Sequence, residues 1–120
     1  MAELEWEQLD RLVESMCHKF QYEPLHCGRV AVFARQLFDA LAPLHELGEA
    51  EAHLLRHAAL LHDVGHFIGF QGHHKHGEYL VRHDAALAGY PQAERELLAY
   101  VVRCHRKKAV APPAGLSCKR

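Results

Sequence analysis

The residues best suited to chemistry lie between Leu60 and Val81, in the run LLHDVGHFIGFQGHHKHGEYLV. An adjacent pair, His62 and Asp63, closes what reads as a buried helix. His66 follows, and after a glycine-broken connector come His73, His74 and His76. Neutral imidazole and carboxylate together suit Mn, Fe, Co, Ni or Zn, so this density of donors points to a metal site. The competing reading is a histidine-rich solvated loop around one buried His–Asp hydrogen bond.

Helices must carry these residues. Residues 3–20 predict an amphipathic packing helix, because Trp6, Leu9, Val13, Met16 and Phe20 recur at spacings of 3 and 4. Glu23-Pro24 predicts a helix start, and a second helix runs to about Leu41, before Pro43. Its expected core stripe is Val30, Phe33, Leu37 and Leu41. His26 is placed on the same side, as a hydrogen-bonded core histidine or as a ligand.

A third helix is expected from Glu49 to about Asp63, with Glu49 and Glu51 in the first turn, where the helix dipole favours them. Its end is almost wholly apolar, so a charged Asp63 there needs a partner. His53 and His57 read as surface residues on its polar side. The fourth helix is expected from His73 to about Ala88, with His73, His76, Leu80, His83 and Leu87 on one stripe. The fifth runs from Pro91 to His105, with Leu98, Val101 and His105 on one face. Arg106, Lys107 and Lys108 follow at once, either complementing the dipole or rimming an anion site.

The bulk numbers bound the reading. At 120 residues the chain fits one domain with one core. The formal net charge of -1 gives no nucleic-acid or membrane signal. No apolar run approaches the ~20 residues of a membrane span. Cys17, Cys27, Cys104 and Cys118 form no C-x-x-C pair, and no signal peptide precedes them, so a reduced, cytoplasmic setting is expected. Cys27 and Cys104, each beside a candidate histidine, read as small buried residues and not as nucleophiles.

Taken together, His26, His62-Asp63, the histidine connector and His105 resemble the HD superfamily of metal-dependent phosphohydrolases. The segments ALLHDVGHFIGFQGHHKHGEYLV and VVRCHRKK are most similar to the helical HD region of exopolyphosphatase and pentaphosphate-guanosine phosphohydrolase proteins. The resemblance implies an all-α fold, a compact HD-domain bundle of about five helices. It is expected as a single stand-alone module over 1–120, with a packing helix at 3–20, an HD core at 24–108 and a fraying tail at 109–120. It also implies a divalent metal, one or two ions of Mn, Fe, Ni, Co, Zn or Mg. The implied ligands are His26, His62, Asp63, His73 and His105, with His74 and His76 as weaker candidates. His62, Asp63 and His66 are the expected catalytic residues, and His66 stands where relatives often place a lysine on substrate phosphate. Lys75, Arg106 and Lys107 are expected to bind that phosphate.

The implied partner is a phosphorylated small molecule, a nucleotide or polyphosphate; a homodimer is left open. One position departs from the pattern. HD enzymes usually close the first metal site with a late aspartate, and here no Asp follows Asp84. This bears on catalysis more than on fold. The rival to a phosphohydrolase is therefore a module that binds metal or nucleotide phosphate without turnover.

Overall fold

The computed structural model describes residues 5–69 and 71–104, and these are all-α. The helices are α1 (Trp6–Lys19), α2 (Pro24–Ala40), the single turn α3 (Ala42–His45), α4 (Glu49–Leu61), α5 (His73–His83) and α6 (Gln92–Arg103). Short 3₁₀ helices span Val64–Phe67 and Ala85–Leu87. His105, Arg106, Lys107, Lys108 and the expected tail at 109–120 lie outside the described residues.

The periodicity of α1 is realised. Leu9, Val13, Met16 and Cys17 are buried, and Phe20 packs just past the helix end. Gln21, at φ 57, takes the left-handed conformation that commonly ends a helix. The Tyr22 N–H then donates back to the Cys17 carbonyl at 3.0 Å. This turn delivers the chain to α2, whose N-terminus is capped by the Glu23 carboxylate accepting from Leu25 N–H at 2.8 Å.

The expected core stripe of α2 is corrected. Phe33 is 61% exposed, Leu37 and Leu41 are each 47% exposed, and Val30 is half-buried. The buried positions are Cys27 and Ala31. Small residues there let α2 lie close along α4, which presents its own alanines Ala52, Ala58 and Ala59 to the interior. Both stripes of α2 are apolar, so periodicity alone could not choose between them.

Helix α4 is the central element, packed by α1, α2 and α6. Glu51 reaches back to accept from Gly48 N–H at 2.9 Å and caps its start. Its buried residues are Ala52, His57, Ala58, Ala59, Leu60 and Leu61. His57 is thus no surface residue. It has 0% exposure and bonds Asp10 at 2.6 Å and the Tyr90 hydroxyl at 2.8 Å. His53 is half-buried, stacked on Trp6 with ring centroids 4.6 Å apart.

Helix α5 ends earlier than its stripe suggested, at His83, because Asp84 turns the backbone to ψ 142 and caps Ala86 N–H at 2.9 Å. Of that stripe His73, Leu80 and Leu87 are buried, whereas His83 is exposed. Arg95 of α6 donates to the Val81 and Asp84 carbonyls, each at 2.6 Å, closing the end of α5. Glu78, Arg82, Glu96 and Arg103 link α5 to α6 through ion pairs. On α6 the buried residues include Leu98, Ala99 and Val102, while Val101 is 37% exposed, so the inward face is rotated from the one expected. No helix among the described residues is long and apolar enough to cross a membrane.

Candidate metal centre

Four elements converge on Asp63. His62 caps the end of α4, and Asp63 follows as the chain leaves the helix. His26 comes from the first turn of α2, His66 from the 3₁₀ helix, and His73 is the first residue of α5. The 3₁₀ turn at Val64–Phe67 keeps Asp63 and His66 on one side, a spacing of three.

Two glycines permit this approach. A Cβ on Gly65 would stand 1.9 Å from the His73 carbonyl oxygen and 2.6 Å from the Gly77 nitrogen. A Cβ on Gly77 would stand 2.9 Å from a Val102 methyl. Backbone therefore lies directly on backbone, and this contact brings the start of α5, with His73, against the 3₁₀ turn.

The geometry divides by carboxylate oxygen. Asp63 Oδ2 faces His62 Nε2 at 3.2 Å and His26 Nε2 at 3.5 Å. Asp63 Oδ1 faces His73 Nε2 at 3.5 Å and His66 Nε2 at 3.6 Å. In each triplet, His26–His62–Asp63 and Asp63–His66–His73, the donor atoms lie within 4.8 Å of one another. Donors around one ion with ~2 Å bonds stand roughly this close. Side-chain exposure grades from 8% at His73 to 55% at His26, so the centre is walled on one side and open on the other.

His62 is held in one orientation. Its Nδ1–H donates to the Ala59 carbonyl at 2.6 Å, which directs Nε2 at Asp63. Burial works against charge on this ring, but the hydrogen bonds to Asp63 and to the Ala59 carbonyl outweigh it, and its pKa lies above the ordinary imidazole value. Cys27 stands nearby as a buried thiol pushed up to about 11 by burial, with the Asp63 charge adding to the effect. Cys17 is pushed up to about 12 for the same first reason. Neither is a thiolate at neutral pH, as expected of packing cysteines. Cys104 is half-buried.

The remaining candidates lie at the edge. His74 is half-buried and meets His73 edge-on, with centroids 6.2 Å apart. His76 is half-buried beside Gly69 and Gly72. Lys75 is exposed on the first turn of α5. None of these three belongs to either triplet among the described residues. His66, expected among the catalytic residues at the position where relatives often place a lysine on substrate phosphate, stands with the donors, and its spacing of three from Asp63 is the signal for that. Beside the centre opens a cleft of about 280 Å³, lined by Phe20, Gln21, Tyr22, Glu23, Asp63, His66 and Phe67.

The family model for Ppx/GppA phosphatase, domain III, matches residues 10–116. A guanosine-5'-triphosphate,3'-diphosphate pyrophosphatase of Vibrio cholerae is 30% identical over 116 residues, covering 92% of this chain and 23% of the relative. The protein of that name in Aeromonas hydrophila is 30% identical over 91 residues, covering 75% of this chain and 18% of its own length. That of Pseudoalteromonas atlantica is 30% identical over 107 residues, with coverage of 85% and 21%. The chain thus spans about a fifth of the length of the curated relatives it matches. Its extent of match to one domain model, beyond half of its residues, is decisive: this chain belongs to the Ppx/GppA phosphatase domain III family.

Proposed function

We propose that this domain is an HD-type, metal-dependent phosphohydrolase acting on a phosphoester or phosphoanhydride of a nucleotide or polyphosphate. The observation that carries this reading is the Asp63 carboxylate, each of whose oxygens faces two histidine Nε2 atoms at 3.2–3.6 Å. The names of the relatives support a phosphorylated nucleotide as the substrate class. Free, buried Cys17 and Cys27 suit the reducing, cytoplasmic setting proposed for it.

The donor chemistry fits a divalent first-row ion. Imidazole nitrogen with carboxylate oxygen suits Mn, Fe, Co, Ni or Zn better than Mg, which prefers oxygen and retains its water. His26, His62 and Asp63 would hold one ion; His66, His73 and the other Asp63 oxygen would hold a second. Such an ion, when bound, supplies Lewis acidity toward a phosphoryl oxygen and lowers the pKa of a coordinated water. The chain's own work is orientation. Ala59 holds the His62 ring, Asp63 joins the two donor sets, and Gly65 against Gly77 keeps His73 in place. Lys75 in the described chain, and Arg106 and Lys107 beyond it, are the cations assigned to substrate phosphate. His105 stays a candidate ligand on the same footing.

A second reading rests on one specific observation. Asp63 is the sole carboxylate in both triplets among the described residues. Asp84 is engaged elsewhere, capping Ala86 and pairing with Lys19 at 3.0 Å. A centre short of its second carboxylate favours a module that binds metal or phosphate without turnover. Elemental analysis of protein purified without added metal, together with a phosphatase panel in Mn and in Mg, separates the two. Retained metal with hydrolysis supports the enzyme, and retained metal with no hydrolysis supports the module. Absence of metal after soaking in Mn refutes the enzyme and leaves the module with phosphate binding alone.

A further inference from the structure

The cleft that opens at Asp63 and His66 also has an aromatic lining. Its walls are the aromatic rings of Phe20, Tyr22 and Phe67. Phe67 is 50% exposed, yet it stands on the 3₁₀ turn directly after His66, and its ring meets Phe20 edge-to-face at 5.2 Å between centroids. A half-exposed aromatic at the rim of a polar centre leaves apolar surface for a ligand to cover. Besides Asp63 and His66, its polar side chains include those of Gln21 and Glu23, both exposed. Glu23 uses Oε1 to cap α2, which orients its carboxylate. An amide and a carboxylate at the edge of an aromatic slot are the groups that hydrogen-bond the donor edge of a heteroaromatic ring.

Away from Asp63 and His66 the cleft offers little to a phosphate chain. Among its described lining residues none is Lys or Arg, and it carries the acidic Glu23 and Asp63. Lys19 lies over the Phe20 ring at 5.3 Å, but its ammonium is paired with Asp84 at 3.0 Å. Phosphate binding here would rest on His66 and on an ion held by Asp63, while the rest of the lining offers aromatic, uncharged or acidic groups. A volume of about 280 Å³ is the size of a small-molecule fragment site, not of a whole nucleotide.

We infer that this cleft is the subsite for the heteroaromatic ring of a nucleoside phosphate, with Phe67 as its stacking platform and Gln21 and Glu23 as its edge-reading groups. The inference rests on the proposed reading of Asp63 as the phosphate-processing centre, and it selects a ring-bearing nucleotide over inorganic polyphosphate within that reading. Stacking of a base on an aromatic side chain strengthens binding by roughly tenfold, enough to decide between the two classes.

The test uses nucleosides, which carry no phosphate, so that ring binding is read without turnover. Saturation-transfer NMR with adenosine and guanosine is run on the full chain at about 10 mM ligand, above the roughly millimolar affinity expected for a ring of this size. The wild type is expected to bind at least one of them, Phe67→Ala to weaken that binding about tenfold, and Phe67→Tyr to restore it. Circular dichroism of each variant confirms that it folds. Absence of binding by both nucleosides, or equal binding by the wild type and the folded Phe67→Ala, overturns the inference. Failure of the phosphohydrolase reading shows separately, as absence of turnover of nucleotides and tripolyphosphate by the metal-loaded protein while nucleoside binding persists.

Discussion

His57 and His62 stand on the same stretch of α4, and each is bonded to an aspartate, yet their surroundings differ in every physical respect. His57 has 0% exposure, and both of its ring nitrogens are used, one by Asp10 at 2.6 Å and one by the Tyr90 hydroxyl at 2.8 Å. A neutral ring satisfies this arrangement, with Nε2–H donating to Asp10 and Nδ1 accepting from the tyrosine. No lone pair is left for a metal. At Asp63 the ratio is inverted. One carboxylate, 28% exposed, is shared by four imidazoles from four elements. A matched pair in the core is structure; a surplus of donors around one partly open carboxylate is what the proposed ligand site rests on. The density of histidine in sequence does not distinguish them, but the number of competing partners per ring nitrogen does.

The same contrast appears in protonation. Burial lowers the His57 pKa below the ordinary imidazole value despite the opposing bond to Asp10. That of His62 is raised, since its hydrogen bonds to Asp63 and Ala59 outweigh burial. A lowered histidine contributes stability that is complete above the unfolded value near 6.5 and is lost as pH falls toward the folded value. A raised one contributes below about 6.5 and loses that contribution as pH climbs through the folded value. In the metal-free protein the two centres therefore pull stability in opposite directions across the range around 6.5.

The largest expected effect erases the comparison. Gly65→Ala forces a Cβ into the His73 carbonyl and the Gly77 backbone, so α5 must move. A loss of about 3 kcal/mol or more in a denaturant titration is expected, with loss of retained metal in the same sample. Full stability with full metal content would show that the backbone contact does not set the centre. Next, His57→Ala removes a fully buried ring and leaves Asp10 and Tyr90 without it, a cost of about 3 kcal/mol. Metal content per folded molecule should stay unchanged, and a drop in it would mean that the two centres are coupled.

Asp63→Ala sharpens the contrast from the other side. Above the raised His62 pKa, metal-free stability should change little, whereas the stabilisation given by metal, about 2.7 kcal/mol at a hundredfold excess over Kd, should vanish. Thermal melts with and without Mn read this directly. The pH profile follows in size. His57→Gln should remove the part of stability that is lost on acidification, and Asp63→Asn should deepen that loss by removing the bond that raises His62. Identical profiles for both variants would contradict the opposed assignment. Smallest is His26→Ala. That side chain is 55% exposed, and its removal should weaken metal binding about tenfold, ~1.4 kcal/mol, without altering the fold.

Much of this protein is determined by the order of its residues alone. The 3-and-4 spacing of α1, the Glu23-Pro24 start of α2, the acidic first turn of α4 and the HD pair at its end are local patterns, and each appears where the pattern puts it. Such features rest on interactions within a turn or two of chain, which a single sequence carries in full. What required the tertiary structure was every choice between two faces. On α2 the larger residues Phe33 and Leu37 look like core, but the small Cys27 and Ala31 are buried, because closeness to the alanines of α4 decides the packing. On α4, Leu54, His57 and Leu61 recur at 3 and 4, which was a signal for an inward His57. Yet only the arrival of Asp10 and Tyr90, distant in sequence, makes burial of that ring tolerable. The division of the donors between Asp63 Oδ1 and Oδ2 is of the same kind. It depends on α2 and α5 reaching α4 from different sides, and on Gly65 meeting Gly77, relations that no spacing along the chain contains.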